Sequence, residues 1–197
     1  KDDQKNILDD DDKKQKNTGV LLYSWGAGYH GQLGLSSNMR KKCVMIPQQV
    51  EINDSVIQVD CGGFHTACVS ESGVMYTWGD GSNGQLGNLH PKHNMLPTPS
   101  IVDYFVTNKI MITQVACGQY HTACVSTIGA LYTWGSGKYG QHGHGSRLSE
   151  RYPKLVTLPT SQQQEDSKED SNNNKKPKRY QSGKFIQVSC GDRHTAT

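Results

Sequence analysis

The sequence predicts an all-β fold, a β-propeller built from repeated blades of four antiparallel strands. Three observations lead to this prediction. Two motifs each occur three times along the 197 residues, each repeat holds four short strand-like segments, and the composition is rich in Gly, Tyr, Thr and Val. Trp25 and Trp78 are 53 residues apart, and Trp78 and Trp134 are 56 apart, a period that suits one four-stranded blade.

The first motif reads Y-x-W-G-x-G-x-x-G-Q and lies at 22–34, 75–87 and 131–143. Its glycines have the G-x-G-x-x-G spacing of a phosphate-binding turn, which raises the question of a nucleotide site. Such a turn must open a helix whose N-terminus faces the anion, but another Gly and three prolines follow Gly84. We therefore interpret the motif as a structural turn. Its recurring residues are Trp25, Trp78 and Trp134 together with Gly31, Gly84 and Gly140.

The second motif reads C-G-x-x-H-T-A and lies within 57–70, 113–126 and 186–197. Its Cys and His have a C-x3-H spacing, which is half of a zinc site. Zinc needs four converging ligands, and a ring of blades would spread these pairs apart. We therefore interpret the histidines as structural residues that hydrogen-bond the backbone of a neighbouring turn. They are His65, His121 and His194. His142 and His144 alone supply too few ligands for a metal, so no metal site is predicted.

The four strand-like segments of a repeat follow one another in a fixed order. The Q-V-x-C-G run comes first and H-T-A-C-V-S second, and the second has small or apolar residues on both faces, as a strand packed between two other blades should. Short links with Gly at 71–73 and 127–129 predict hairpins to the third strand, which carries the Trp. A proline-led apolar run forms the fourth, in the segments I-P-Q-Q-V-E-I, T-P-S-I-V-D-Y-F and Y-P-K-L-V-T-L.

Together these two motifs, YxWGxGxxGQLG and CGxxHTAxxS, resemble the regulator of chromosome condensation repeat. The resemblance covers residues 20–159 and 181–197 and implies a seven-bladed propeller, of which this chain would hold about three blades. The propeller region is then 19–197, and its sequence repeats are 20–72, 73–128 and 129–197, the first three of the ring.

The resemblance also implies how the ring closes. The first copy enters at a third-strand motif, so we expect its blade to be completed by strands from the far end of the complete protein. We expect about four further repeats after Thr197, on the seven-blade count. One residue departs from the repeat, because His142 stands where the other copies have Leu33 and Leu86. This change predicts weaker packing of the third turn.

Two charged, low-complexity segments lie outside the repeats. Residues 1–18 hold six Asp and five Lys and predict a disordered tail. A polar insert at about 160–180 accounts for the wider spacing of the last two C-G-x-x-H motifs. Its basic run is typical of a nuclear import signal, and the alternative is a solvated cluster that balances the acidic E-D-S-K-E-D before it. The run consists of Lys175, Lys176, Lys178 and Arg179.

The cysteines predict an intracellular protein, in the cytoplasm or the nucleus. Five of the six recur at equivalent repeat positions, which favours reduced core thiols over disulfides. We find no apolar run suited to a signal peptide or a membrane span. The net charge of +3 is too small to indicate nucleic acid or membrane binding.

Two functions agree with these features. The first is a propeller scaffold for protein–protein interaction, acting as a regulatory or targeting module of a larger protein. The alternative, implied by the resemblance, is guanine-nucleotide exchange on a Ran-like small GTPase with chromatin association. No contact residue for that activity can be carried over, and the acidic residues of 1–18 do not favour DNA binding. Neither function leads us to expect a catalytic residue or a cofactor in this chain.

Overall fold

The computed structural model describes residues 20–36, 43–88, 94–159, 180–181 and 184–197. The described strands form five antiparallel sheets, two of them four-stranded and three two-stranded. The first sheet pairs β1 (Leu22–Ala27) with β2 (Cys43–Val50). The next element group is β3 (Val56–Cys61), β4 (His65–Ser70), β5 (Met75–Asp80), β6 (Met95–Ile101) and the short helix α1 (Asp103–Thr107).

The second four-stranded sheet follows directly. It contains β7 (Ile112–Cys117), β8 (His121–Ser126), β9 (Leu131–Gly135) and β10 (Glu150–Leu155). Two short pairs complete the described residues, β11 (Leu158–Pro159) with β12 (Tyr180–Gln181) and β13 (Ser189–Cys190) with β14 (Thr195–Ala196). The tail at 1–18 and residues 160–179 of the predicted insert lie outside the described residues.

The two four-stranded sheets are equivalent blades, and they confirm the prediction of a partial propeller. Strands pair in chain order in both, β3-β4-β5-β6 in blade 1 and β7-β8-β9-β10 in blade 2. Their registers match, since Val59 pairs with Cys68 in blade 1 and Val115 pairs with Cys124 in blade 2. The predicted hairpin glycine has a φ of +80° in each blade, a value that favours glycine.

Each blade packs through its second strand. Every residue of β4 and β8 is buried, because small and β-branched side chains let neighbouring sheets approach both faces. The core between the blades combines residues of both sheets with the segment that joins them. Its members include Val69 and Met75 from blade 1, Ile112, Tyr132 and Trp134 from blade 2, and Val102 and Phe105 from the connection.

The connection between the blades departs from the sequence prediction. The fourth strand of blade 1 ends at Ile101, so the predicted T-P-S-I-V-D-Y-F strand is wrong beyond that residue. Helix α1 follows instead and places Phe105 in the core, where its ring lies 5.3 Å from that of Tyr132 and 5.9 Å from that of Trp134. Burial of this aromatic side chain outweighs the strand preference of the local sequence.

A glutamine of the first strand in each blade links that strand to the next sheet. The Gln58 amide donates to the Val115 carbonyl at 3.1 Å and accepts from the Val115 N–H at 2.9 Å. Gln114 makes the same two bonds to the following segment, with the carbonyl of Ile186 at 2.7 Å and the N–H of Val188 at 3.2 Å. The repeated glutamine side chain therefore supplies hydrogen-bond partners to backbone N–H and carbonyl groups of the next sheet, on the side where that backbone has no neighbouring strand of its own sheet.

Candidate functional site

The blades present two opposite ends, and the repeat motifs lie at one of them. The loop face is the end that carries the C-G-x-x turns at 62–64, 118–120 and 191–193 and the glycine-rich turns at 28–34, 81–87 and 137–143. The hairpin face is the other end, with the hairpins at 71–74 and 127–130 and the connection at 102–111. Strands of about six residues separate the two faces by about 20 Å.

The glycine-rich turns are closed structures whose polar groups bond one another. In the second turn the N–H of Gly84 donates to the Gly81 carbonyl at 2.9 Å, and the N–H of Gly87 donates to the Gly84 carbonyl at 3.0 Å. The side chain of Gln85 accepts the N–H of Asn83 at 2.9 Å. A phosphate site would need such N–H groups to point outward, so this geometry agrees with the structural interpretation of the motif.

The backbone carbonyl of the glutamine in each turn is the point where the next blade attaches. The Gln85 carbonyl accepts the indole N–H of Trp134 at 2.9 Å and the hydroxyl of Thr122 at 2.7 Å. The Gln32 carbonyl accepts Trp78 at 2.9 Å and Thr66 at 2.8 Å in the same way. One carbonyl thus fixes the second and third strands of the following blade.

The motif histidines continue this network to the next blade. His65 Nε2 lies 2.9 Å from the Thr122 hydroxyl, and His121 Nε2 lies 3.0 Å from that of Thr195. Since the Thr122 hydroxyl donates to the Gln85 carbonyl, His65 must donate through Nε2. The sequence predicts that these histidines bond the backbone of a neighbouring turn, but their hydrogen-bond partner is a threonine side chain of the next blade. That residue was missed because the partner depends on how adjacent blades are set against each other.

Burial keeps these two rings neutral. It lowers the pKa of His65 from 6.5 to about 4, with a further lowering from the nearby His121. It lowers the pKa of His121 to about 4 as well, helped by His142 and His194. The third motif histidine, His194, is exposed at the edge of the described blades. Among the described residues no group of three or more His, Cys, Asp or Glu could hold a metal ion.

The other recurring residues occupy different environments. Trp78 and Trp134 are buried, whereas Trp25 in β1 is 60% exposed. Gly31, Gly84 and Gly140 all have positive φ, from +74° to +84°.

All six cysteines are free, and Cys68, Cys117 and Cys124 are buried. The basic run at 175–179 lies outside the described residues. The described residues include no helix long and apolar enough to cross a membrane.

His142 is the least satisfied polar residue of the repeat. It is 1% exposed, and neither ring nitrogen has a hydrogen-bond partner among the described residues. Burial lowers its pKa to about 4, and the neighbouring His144 lowers it further. The equivalent residues Leu33 and Leu86 are buried without any such penalty. The third turn is therefore the weakest of the three.

Replacing His142 with Leu is expected to stabilise the protein. Removal of two unpaired buried nitrogens should raise the free energy of unfolding by about 1–2 kcal/mol at pH 7. The gain should grow as the pH falls from 6.5 towards 4, because in that range the unfolded state takes up a proton that the folded ring refuses. Urea unfolding at pH 7 and pH 5 measures both effects.

The matched control introduces the same defect elsewhere. Leu86→His places an unpaired imidazole in the equivalent turn of blade 1 and should lower stability, more at pH 5 than at pH 7. A His142→Leu protein that is less stable than the parent at both pH values would show that the buried histidine is well accommodated.

The side chains that reach the surface of the loop face, some exposed and some partly buried, come from the variable positions of the motifs. His30 and Phe64 stack across one blade boundary with ring centroids 4.5 Å apart, and Phe64 lies 5.9 Å from Tyr120 of the next blade. At the last boundary the equivalent positions hold Tyr139 and Arg193, with the guanidinium carbon 4.7 Å from the ring centre. These residues were not among the predicted site residues, although they lie between the recurring positions of the motifs, at the turns that face solvent.

Comparison with known proteins supports one family. The model of the regulator of chromosome condensation (RCC1) repeat matches residues 21–69, 72–125 and 129–197, and a second model of the repeat matches 56–85 and 112–141. The E3 ubiquitin-protein ligase HERC2 of Mus musculus is 31% identical over 180 residues, and the ultraviolet-B receptor UVR8 of Arabidopsis thaliana is 32% identical over 176. These matches cover 89% and 88% of this chain but only 3% and 34% of the relatives.

Solved structures show the same fold. Prp20p from Saccharomyces cerevisiae matches with a TM-score of 0.70 at 21% identity, over 89% of this chain and 38% of Prp20p. Human WBSCR16 matches with a TM-score of 0.68 at 22% identity, over 90% of this chain and 39% of WBSCR16. The chain therefore spans a little over a third of these structures.

Proposed function

Because the chain belongs to the RCC1 repeat family, we propose that it is a protein-interaction module, a regulatory or targeting part of its protein, and that the loop face is its docking surface. One observation carries this proposal. The recurring residues bond neighbouring blades, whereas the variable residues between them leave aromatic and charged side chains at the surface. Rigid strands thus present changeable side chains, an arrangement that suits recognition.

The relatives support a module rather than a self-contained activity. The sequence matches include the E3 ubiquitin-protein ligase HERC2 and the ultraviolet-B receptor UVR8, proteins with different names and roles. A fold shared by such different proteins supplies a surface, and the surface residues decide the partner. Half-exposed Tyr29 and Tyr139 are the kind of side chain that contributes strongly to protein interfaces.

The proposal is tested by removing side chains from one face at a time. A loop-face variant replaces Phe64, Tyr120 and Tyr139 with Ala. A hairpin-face variant replaces Glu71, Thr127 and Ile128 with Ala. Each is compared with the parent in quantitative affinity capture from cells, after circular dichroism has shown that all three proteins are folded.

We expect the loop-face variant to lose its specific partner by about tenfold or more, since truncation of interface aromatics removes most of the binding energy. The hairpin-face variant should retain it. Loss of the partner only in the hairpin-face variant would contradict the proposal.

Guanine-nucleotide exchange on a Ran-like small GTPase is the second candidate. The structure of Prp20p, which shares the fold, is described with its binding to Gsp1p and histones. On this proposal the protein would act in the nucleus on chromatin, and the basic run at 175–179 would serve nuclear import. The assay is release of labelled GDP from Ran, and unchanged release in the presence of the intact protein would remove this candidate.

A further inference from the structure

We propose that one corner of the loop face binds an acidic segment of the partner protein. This inference rests on the proposed function and names the chemistry of the partner. The corner, called here the cationic corner, consists of Lys138 and Tyr139 in the glycine-rich turn of blade 2 and Arg193 in the following C-G-x-x turn.

The cationic corner gathers two positive charges around one aromatic ring. The Arg193 guanidinium carbon lies 4.7 Å from the centre of the Tyr139 ring, and the Lys138 ammonium nitrogen lies 5.8 Å from it. All three side chains are exposed. The ring holds both cations near its face, and their stems are thereby ordered before a partner arrives.

Among the described residues no carboxylate forms an ion pair with Lys138 or Arg193, although Asp192 precedes Arg193 in the same turn. The ion pair found among them joins Lys154 and Glu150. The Asp80 carboxylate, also on the loop face, accepts hydrogen bonds from the Ser82 hydroxyl at 2.7 Å and the Gln85 amide at 3.0 Å. The two cations outnumber the one neighbouring carboxylate, so an incoming carboxylate is attracted to the corner. The corner is therefore complementary to negative charge.

The corner is peculiar to one blade boundary. The positions of Tyr139 and Arg193 are filled by His30 and Phe64 at the first boundary and by Asn83 and Tyr120 at the second. Each boundary thus presents a different pair on the same backbone frame. Of the three described boundaries only this one carries a pair of cations, so the acidic part of a partner is placed at this boundary.

The surroundings favour an acidic peptide over a nucleic acid. A phosphate backbone carries a charge at every nucleotide and is bound by an extended track of Lys and Arg. Along the loop face the cationic corner is followed by the partly buried rings of Tyr120, Phe64 and His30 and the neutral amides of Asn83 and Gln119, with one further cation, Arg151, beside Gly84. This sequence of charge followed by apolar surface suits a peptide that combines Asp or Glu with apolar side chains.

The test uses fluorescein-labelled probes and fluorescence polarisation with the intact protein. The first probe is a short peptide of alternating Glu and Leu, the second is the same peptide with Gln for Glu, and the third is a single-stranded oligothymidylate. The variants are Lys138→Glu, Arg193→Glu and their combination. Lys109→Glu is the matched control, because Lys109 is an exposed lysine of the hairpin-face connection.

We expect the Glu–Leu peptide to bind with a dissociation constant that rises with added salt and rises about tenfold or more in the double variant. Lys109→Glu should leave binding unchanged. Equal affinity for the Gln–Leu peptide, equal weakening by Lys109→Glu, or tighter binding of the oligothymidylate would each overturn the inference.

The inference and the proposed function fail in distinguishable ways. If the natural partner is lost on replacing Phe64, Tyr120 and Tyr139 but retained by the Lys138→Glu, Arg193→Glu double variant, the loop face binds protein without an acidic contact and the inference is wrong. If the triple replacement also leaves the partner bound, the loop face is not the docking surface and both are wrong.

Discussion

Replacing Trp134 with Ala lowers the free energy of unfolding by about 3–5 kcal/mol, the largest effect that we expect from a single side-chain truncation. The indole is fully buried, its ring lies 5.9 Å from that of Phe105, and its N–H donates to the Gln85 carbonyl of the preceding blade. Its loss therefore leaves a cavity at the boundary between two blades. Urea unfolding followed by circular dichroism measures the change.

Two further variants separate the causes. Trp134→Phe keeps most of the ring volume and removes the hydrogen bond to Gln85, so we expect a smaller loss of about 1–2 kcal/mol. Ile128→Ala, at a hairpin residue that is 78% exposed, should change stability by less than about 0.5 kcal/mol. If Trp134→Ala were no more destabilising than Ile128→Ala, the described packing of the two blades would be wrong.

Replacing Gly87 with Ala is expected to cost about 3 kcal/mol, for two reasons that can be measured apart. Its φ of +69° is a left-handed conformation, which costs a residue with a Cβ about 1–2 kcal/mol. An added Cβ would also lie 2.7 Å from Nε1 of Trp134, and that ring is fully buried. Overpacking of this kind typically costs about 1–3 kcal/mol more.

Gly145 provides a matched control within the same protein. Its φ is also +69°, but an added Cβ meets nothing within 4 Å. Gly145→Ala should therefore show the conformational cost alone, about 1–2 kcal/mol. Equal losses for the two substitutions would mean that the close approach of Gly87 to the indole does not exist in solution.

The repeat made most of the fold predictable. Motif spacing, hairpin glycines and small residues on both faces of β4 and β8 specified four-stranded blades, because each is a local requirement written into every copy. Helix α1 was not predictable in this way. It occurs in one connection, so no repeat signals it. It is stabilised by the burial of Phe105 against Tyr132 of the other sheet, a contact that the local sequence does not show.

The candidate site was predictable only in outline. Repetition predicts a structural role for the glycines and histidines, whereas the Thr122 partner of His65 depends on how one blade is set against the next. The surface pair Tyr139 and Arg193 is separated by more than fifty residues in the sequence and meets only because the blade boundary brings two turns together. Positions that vary between copies carry no repeat signal, and their side chains form the surface of the loop face.

The recurring and the variable residues have separate roles in the proposed function. Thr122 and Trp134 donate side-chain hydrogen bonds to the backbone carbonyl of Gln85 in the preceding blade, so replacing either side chain removes a bond between blades. Phe64 and Tyr120 occupy the intervening positions, where a change alters the surface and leaves the network intact. We therefore expect substitutions of Thr122 and Trp134 to reduce stability, and substitutions of Phe64 and Tyr120 to change binding.

Site-specific photo-crosslinking in cells tests whether the loop face is the docking surface. A photoreactive phenylalanine is placed at Phe64, Tyr120 or Tyr139 on the loop face, and at Met111 or Ile128 on the hairpin face, and the adducts are identified by mass spectrometry. The account predicts that the three loop-face positions crosslink to the same partner protein and that the hairpin-face positions do not. Crosslinks to that partner from Met111 or Ile128 alone would contradict it, because the docking surface would then lie at the opposite end of the blades.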